Sequence, residues 1–158
     1  MALRAMLTLA DVLAATGGAL ESPVAGEIAF TSVSIDSRTI EAGALFVAVK
    51  GPRFDGHDFL AEAASRGTAG ALVHRDAPAP AGLCRVRVAE TTKALSDLAR
   101  HVRREADLPV VGVTGSVGKT TTKDMTAGLL GTRGPVLKTE GNLNNQYGLP
   151  LSLLRLRP

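Results

Sequence analysis

Val110-Val-Gly-Val-Thr-Gly-Ser-Val-Gly-Lys-Thr-Thr-Thr122 is the stretch on which the fold turns. An apolar run feeds a glycine-containing turn, and the turn feeds a lysine, three threonines and a helical pattern. This order places backbone N–H groups around a concavity at a helix N-terminus, where phosphate oxygens are favoured. The strict phosphate-loop pattern wants a glycine five residues before Gly118, where Val113 stands; Gly112 comes one residue early. What remains, Thr114-Gly-Ser-Val-Gly-Lys-Thr-Thr121, keeps the strand-to-helix context. Lys119 is the candidate catalytic residue, its charge offsetting that of a transferred γ-phosphoryl group. The Thr120 hydroxyl is the candidate Mg²⁺ ligand. Thr121 and Thr122 either bind phosphate or start the helix, and Lys123 and Asp124 read as ordinary first-turn residues.

Downstream, the pattern predicts a helix from Lys119 to about Leu130, a strand over 135–138, a polar loop over 139–148 and a helix over 149–156. Phosphate-loop domains are open, mainly parallel sheets with helices on both faces, and two strands do not make such a core. The expectation is therefore a chain that belongs to a longer protein.

Upstream, Leu108-Pro109 breaks a helix that Thr91 or Thr92 caps, that runs to about Glu105 and that carries Ala94, Leu95, Leu98, Ala99 and Val102 on one stripe. Before it the chain alternates short strands (28–30, 33–35, 44–49, 69–73, 85–88) with polar turns. One helix is expected from Asp58 to Arg66, stopped by Gly67. Another near the start has Thr8 as cap, Asp11 three residues on, and Leu7 with Val12 placed for a hydrophobic staple. The resulting division is 1–88 as a mixed α/β unit, 89–107 as a connecting helix, and 108–158 as the start of a parallel-sheet unit.

Composition narrows the function. In 158 residues, hydrophobic types reach 45% but aromatics only 3%, so Ala, Leu and Val build the core. A net charge of +3 without stacked aromatics argues against nucleic acid, and the Arg100, Arg103, Arg104 cluster reads as a solvated helix face. Cys84, the single cysteine, excludes an internal disulfide. No run approaches the length of a membrane span, and Asp11 interrupts the Ala/Leu-rich start that would otherwise mimic an export signal. His74 and His101 carry no metal-ligand spacing.

Two further groups of residues are candidates. In the first unit, Asp36-Ser-Arg38 and Lys50-Gly-Pro-Arg-Phe-Asp-Gly-His57 are polar loops after apolar strands. There Arg38, Lys50 and Arg53 suit a diphosphate, and Phe46 or Phe54 suits a base; solvated loops are the alternative. In the second, Thr139-Glu-Gly-Asn-Leu-Asn-Asn-Gln-Tyr-Gly-Leu-Pro150 follows a strand end, where open α/β sheets bind ligands. Its amides either meet a polar substrate or make a plain turn.

Taken in order, these motifs resemble the Mur ligase family. Asp36-Ser-Arg38, Gly43-Ala-Leu-Phe-Val-Ala-Val-Lys-Gly51 and Phe54-Asp-Gly-His-Asp-Phe59 are similar to its UDP-binding domain. The shifted phosphate loop is similar to its ATP loop, and Gly141-Asn-Leu-Asn-Asn145 narrows the likeness to one branch. That resemblance implies ATP-dependent addition of D-alanyl-D-alanine to a UDP-N-acetylmuramoyl tripeptide in peptidoglycan precursor synthesis, in the bacterial cytoplasm. It implies ATP on Thr114, Gly115, Ser116, Val117, Gly118, Lys119, Thr120 and Thr121, with Mg²⁺ on Thr120. It implies the UDP-linked substrate on Ser37, Arg38, Phe46, Lys50, Gly51, Arg53, Asp55 and His57, and on Asn142, Asn144 and Asn145. No nucleic-acid or membrane partner is expected, and the intact enzyme is expected to be a monomer. About two thirds of a usual family member is missing, with its Mg²⁺-binding glutamate, carbamylated lysine and adenine contacts, so the 158 residues alone are expected to be inactive.

Two alternatives stand beside this. One is the sister ligase that adds the third stem amino acid, against which the Asn-rich loop argues. The other is a nucleotide-dependent switch with an N-terminal partner-binding module.

Overall fold

The computed structural model describes residues 7–21, 24, 26–140 and 145–156. They form two compact units, 1–98 and 99–158, divided within a helix.

The first unit is built on a five-stranded sheet. β1 (Leu7–Thr8) and β3 (Ala29–Phe30) make a separate antiparallel pair. The main sheet has the order β2-β7-β6-β5-β4, with β2 at Ala19–Leu20, β4 at Val33–Ser34, β5 at Leu45–Val47, β6 at Gly70–Val73 and β7 at Cys84–Arg87. β4 to β7 are mutually parallel and β2 runs antiparallel to β7 at one edge. Every residue of β5 and β6 is buried, as continuous apolar runs in a parallel sheet require.

Local chemistry sets the helices. α1 (Leu9–Thr16) starts on the expected capping box, with Thr8 and Asp11 each bonding the other's backbone N–H, and stops at Gly17 in the left-handed region. Leu7 and Val12 are both buried. The helix expected from Asp58 starts differently. A 3₁₀ turn (Gly56–Phe59) precedes α2 (Leu60–Ser65), and the cap is Asp55, whose carboxylate accepts the His57 N–H. α3 (Thr91–Ala106) likewise is not capped by a threonine: the Glu90 carboxylate accepts the N–H groups of Thr92 and Lys93 at 2.6 and 2.5 Å. Thr91 is instead fully buried. The predicted stripe holds, with Ala94, Leu95, Leu98, Ala99 and Val102 all buried.

In the second unit α4 (Lys119–Gly131) and α5 (Gly148–Leu153) are present. The strands expected over 110–113 and 135–138 are not formed: both segments lack ladder partners, and no strand follows β7 among the described residues. A strand exists only through a neighbour's hydrogen bonds, so an apolar run without one leaves its backbone to water. α4 accordingly has no buried residue.

Candidate functional site

In the first unit the polar loops lie where the strand directions place them. β4, β5 and β6 are parallel, so Asp36-Ser-Arg38, Lys50–His57 and His74-Arg75 leave the same carboxyl edge of the sheet. The loop after β5 is a closed turn. Gly51 donates to the Phe54 carbonyl at 2.8 Å and Gly56 donates to that of Val49 at 2.8 Å, with Lys50 and Asp55 bridged across its base. Gly56 must be glycine, because a Cβ there would sit 2.8–2.9 Å from the backbone of Ala48 and Val49. Pro52, Arg53 and Phe54 are thrust outward, Phe54 keeping 72% of its surface.

Beneath this turn lies a buried network. His57 has no exposed surface. Its Nε2 accepts the His74 N–H at 3.0 Å, so the ring proton is on Nδ1, which donates to the Asp55 carboxylate at 2.6 Å. Burial pushes the His57 pKa down against the pull of Asp55, which fits this neutral form. The His74 ring stands edge-on to it at 4.3 Å. Thr91 Oγ donates to the Ala48 carbonyl at 2.9 Å, which leaves its lone pair for the His74 Nδ1–H at 3.2 Å. Arg75 donates through Nε to the other Asp55 oxygen at 3.0 Å and through Nη2 to Asp58 at 2.8 Å. Burial raises the Asp55 pKa, but the hydrogen bonds from His57 and Arg75 outweigh it and hold the carboxyl at about 2.

The predicted substrate residues separate accordingly. Arg38, Lys50 and Arg53 are exposed. Arg38 pairs with Asp36 through Nε at 2.9 Å and Nη2 at 2.6 Å, and these bonds hold the Asp36 carboxyl at about 2. Gly51 belongs to the turn itself. Ser37 is buried and donates to Glu62 at 2.8 Å. Phe46 is 1% exposed inside β5 and packs in the core, because β5 is covered on both faces; it offers no face to a base. His57 and Asp55 face one another, so they hold the loop. The network also includes His74 and Arg75, to which the sequence pattern assigns no role, and Thr91, which it reads only as a helix cap. The available signal is position, since His74 and Arg75 directly follow an apolar parallel strand.

The second unit carries the glycine turn at 114–118 and the helix after it. Gly118 adopts φ +81°, a conformation that favours glycine, and caps α4 with no side-chain acceptor on the helix's first N–H groups. Those unsatisfied donors at a 13-residue helix fit a phosphate anion. Lys119 folds back over the turn, its ammonium donating to the carbonyls of Gly115 at 2.5 Å and Ser116 at 3.3 Å. Thr114, Ser116, Val117, Thr120 and Thr121 are exposed around it. No cluster of three or more His, Cys, Asp or Glu that could hold a metal exists among the described residues.

Lys123 and Asp124 have a definite part. Lys123 Nζ donates to the Thr139 carbonyl at 2.7 Å and Lys138 Nζ to Asp124 at 2.8 Å, which ties 138–139 to the first turns of α4. Arg155 pairs with Glu140 at 2.5 Å. Asn145 accepts the N–H groups of Tyr147 and Gly148 at 3.1 and 2.7 Å, at the entrance to α5. Asn142 and Asn144 lie outside the described residues.

Comparison with known proteins agrees with both halves. Residues 29–103 match the family model described as Mur ligase family, catalytic domain, and 113–158 match the Mur ligase middle domain. The chain is 41% identical over 152 residues to the UDP-N-acetylmuramoyl-tripeptide–D-alanyl-D-alanine ligase of Escherichia coli, covering 96% of this chain and 32% of the relative. A solved D-alanyl-D-alanyl ligase from Acinetobacter baumannii superposes with a TM-score of 0.84 at 39% identity, over 94% of this chain and 33% of that one. A MurF ligase from Thermotoga maritima, solved in complex with ADP, gives 0.70 at 42% identity over 78% of this chain and 28% of that one. The chain thus spans about a third of the length of the relatives it matches.

Proposed function

The chain belongs to the Mur ligase family, and on that premise we propose that it supplies the UDP-binding unit and ATP phosphate loop of a D-alanyl-D-alanine-adding ligase. The observation that carries this reading is the turn at 114–121. Its Lys119 ammonium folds back over the turn that opens α4, a helix without a side-chain cap, in a chain whose ADP-bound relative is 42% identical.

In the proposed reaction a carboxylate oxygen of the UDP-muramoyl tripeptide attacks the γ-phosphorus of ATP, and ADP leaves. The amine of D-alanyl-D-alanine then attacks the acyl carbon of the resulting acyl phosphate, loses a proton and expels phosphate. Lys119 and the N–H groups at the start of α4 hold the β- and γ-phosphate oxygens and spread their growing charge. The Thr120 hydroxyl would hold Mg²⁺, which would supply neutralisation of phosphate charge. At the carboxyl edge of the first sheet, Arg38, Lys50 and Arg53 meet the uridine diphosphate handle, and the exposed Phe54 offers an apolar face beside them. The family likeness assigns Asn142, Asn144 and Asn145 to the muramoyl-peptide and phosphate-transfer region. Such a reaction belongs in the bacterial cytoplasm, where its nucleotides are made; no helix among the described residues is long and apolar enough to cross a membrane.

The 158 residues by themselves are expected to bind nucleotides without turnover. The test has two arms. Calorimetry on the 158-residue chain should show ADP binding that Lys119→Ala weakens, and UDP-muramoyl tripeptide binding that Arg38→Ala weakens. With the full-length enzyme, D-alanyl-D-alanine should be ligated and a diamino acid refused. Loss of both affinities, or preference for the diamino acid, would overturn the assignment.

A further inference from the structure

His57, itself shut off from solvent, is placed to govern the exposed turn above it. The turn 50–55 projects its exposed tip from a base that ends in Asp55, and Asp55 is gripped from two sides. From beneath, the buried His57 ring donates to Oδ1; from the flank, Arg75 donates to Oδ2. The ring is itself fixed by the His74 N–H at the end of β6, and the His74 ring by Thr91 at the start of α3. Stretches distant in sequence therefore converge on one carboxylate. Among the described residues no buried polar side-chain atom lacks a partner, so the arrangement has no slack to absorb a change in any member.

We propose that His57 and Arg75 are positioning residues that set the 50–55 turn through Asp55, so that its tip is held ready for the UDP-linked substrate. This rests on the reading of that loop as part of the UDP site. Neither residue touches the ligand. His57 works from the buried side, and the Arg75 guanidinium is occupied by Asp55, Asp58 and the Asp76 carbonyl. A preset loop loses less conformational entropy on binding, so releasing it lowers affinity without removing a contact.

The two side chains of this clamp are separable by substitution. His57→Gln leaves an acceptor near the His74 N–H but removes the donor to Asp55. His57→Asn keeps an amide N–H near the Nδ1 position. Arg75→Gln cuts the flank of the clamp at a half-exposed site that tolerates replacement.

Measured on the 158-residue chain, His57→Gln should weaken UDP-N-acetylmuramoyl tripeptide binding by about tenfold, the scale of a charge-assisted hydrogen bond. Arg75→Gln should weaken it by roughly threefold to tenfold. The double variant should lose little more than the worse single one, since both act on one carboxylate. His57→Asn should recover most of the affinity. Amide exchange over 50–56 should quicken in the Gln variants while β5 and β6 stay protected, a readout that needs no ligand. Fully additive losses, unchanged affinity, or unchanged exchange at 50–56 would overturn the proposal. Arg75→Gln decides it alone should His57→Gln fail to fold. Absence of binding by the unaltered chain would instead remove the UDP reading, with the exchange result still judging the clamp.

Discussion

In the first unit Leu45, Val47, Leu72 and Val86 have no exposed surface, whereas in the second Val110, Val111, Met125 and Leu129 keep 60 to 73% of theirs. The residue types are alike and the local patterns are equally apolar. The difference is the sheet. β4 to β7 each have a partner, and α3 lays a continuous apolar stripe within the same chain region. α4 has its turn, its length and its lysine, but no sheet under it among the described residues. Hydrophobic side chains stabilise a fold only through the area they remove from water, about 25 cal/mol per Å². The glycine turn and its helix can therefore form locally without a sheet among the described residues to bury them.

That contrast can be broken by hydrogen exchange. Amides of β5 and β6 should be protected by at least about a thousandfold, and those of 110–113 and 135–138 by almost nothing. Protection of the second set would reveal a ladder for those segments and erase the contrast. A core substitution gives the next largest effect. Leu72→Ala should cost the first unit about 3–5 kcal/mol in denaturant unfolding, while Leu129→Ala on α4 should stay within about 0.5 kcal/mol.

Lys119→Ala sharpens the comparison from the functional side. It should reduce ADP affinity by about tenfold or more and leave the unfolding of the first unit unchanged, because the Lys119 ammonium bonds to carbonyls of its own turn. Acid separates the regions next. His57 has its pKa pushed below the usual 6.5, so the folded unit binds fewer protons there than the unfolded chain, and its stability falls as pH drops below about 6.5. Asp55 and Asp36, held at about 2 against an ordinary 3.8, add a second loss between those values. His57→Gln should flatten the upper limb of a melting-temperature profile and leave the lower one. The smallest effect is expected at Lys123→Met. It frees the Thr139 carbonyl of an exposed contact worth at most about 1 kcal/mol, visible as faster exchange after residue 138 with no shift in overall unfolding.

Elements fixed by neighbours in sequence are legible in the residues themselves. Thr8 and Asp11 are three residues apart, and the capping box forms as its pattern requires. The α3 stripe, the left-handed stop at Gly67 and the helix after Gly118 follow from period and turn chemistry alone. The caps depart from expectation where two acceptors compete within a few residues: Asp55 displaces Asp58, and Glu90 displaces Thr91. β1 and β2 have no counterpart among the expected strands, since they flank the helix that dominates the pattern there.

By itself, then, the sequence determined the short-range devices: the glycine turn before α4, the capping box of α1, the α3 stripe, and the alternation of apolar strands with polar loops in the first unit. Only the tertiary structure decided what the polar residues do. Phe46 and Ser37 went inside. Exposed cations stayed at the sheet's carboxyl edge. His57, 17 residues from His74 and farther still from Thr91, became the support of a loop rather than a surface ligand. The physical reason is that a hydrogen bond between neighbours is written in local geometry. One across a sheet exists only after parallel strands have brought distant residues to a common edge.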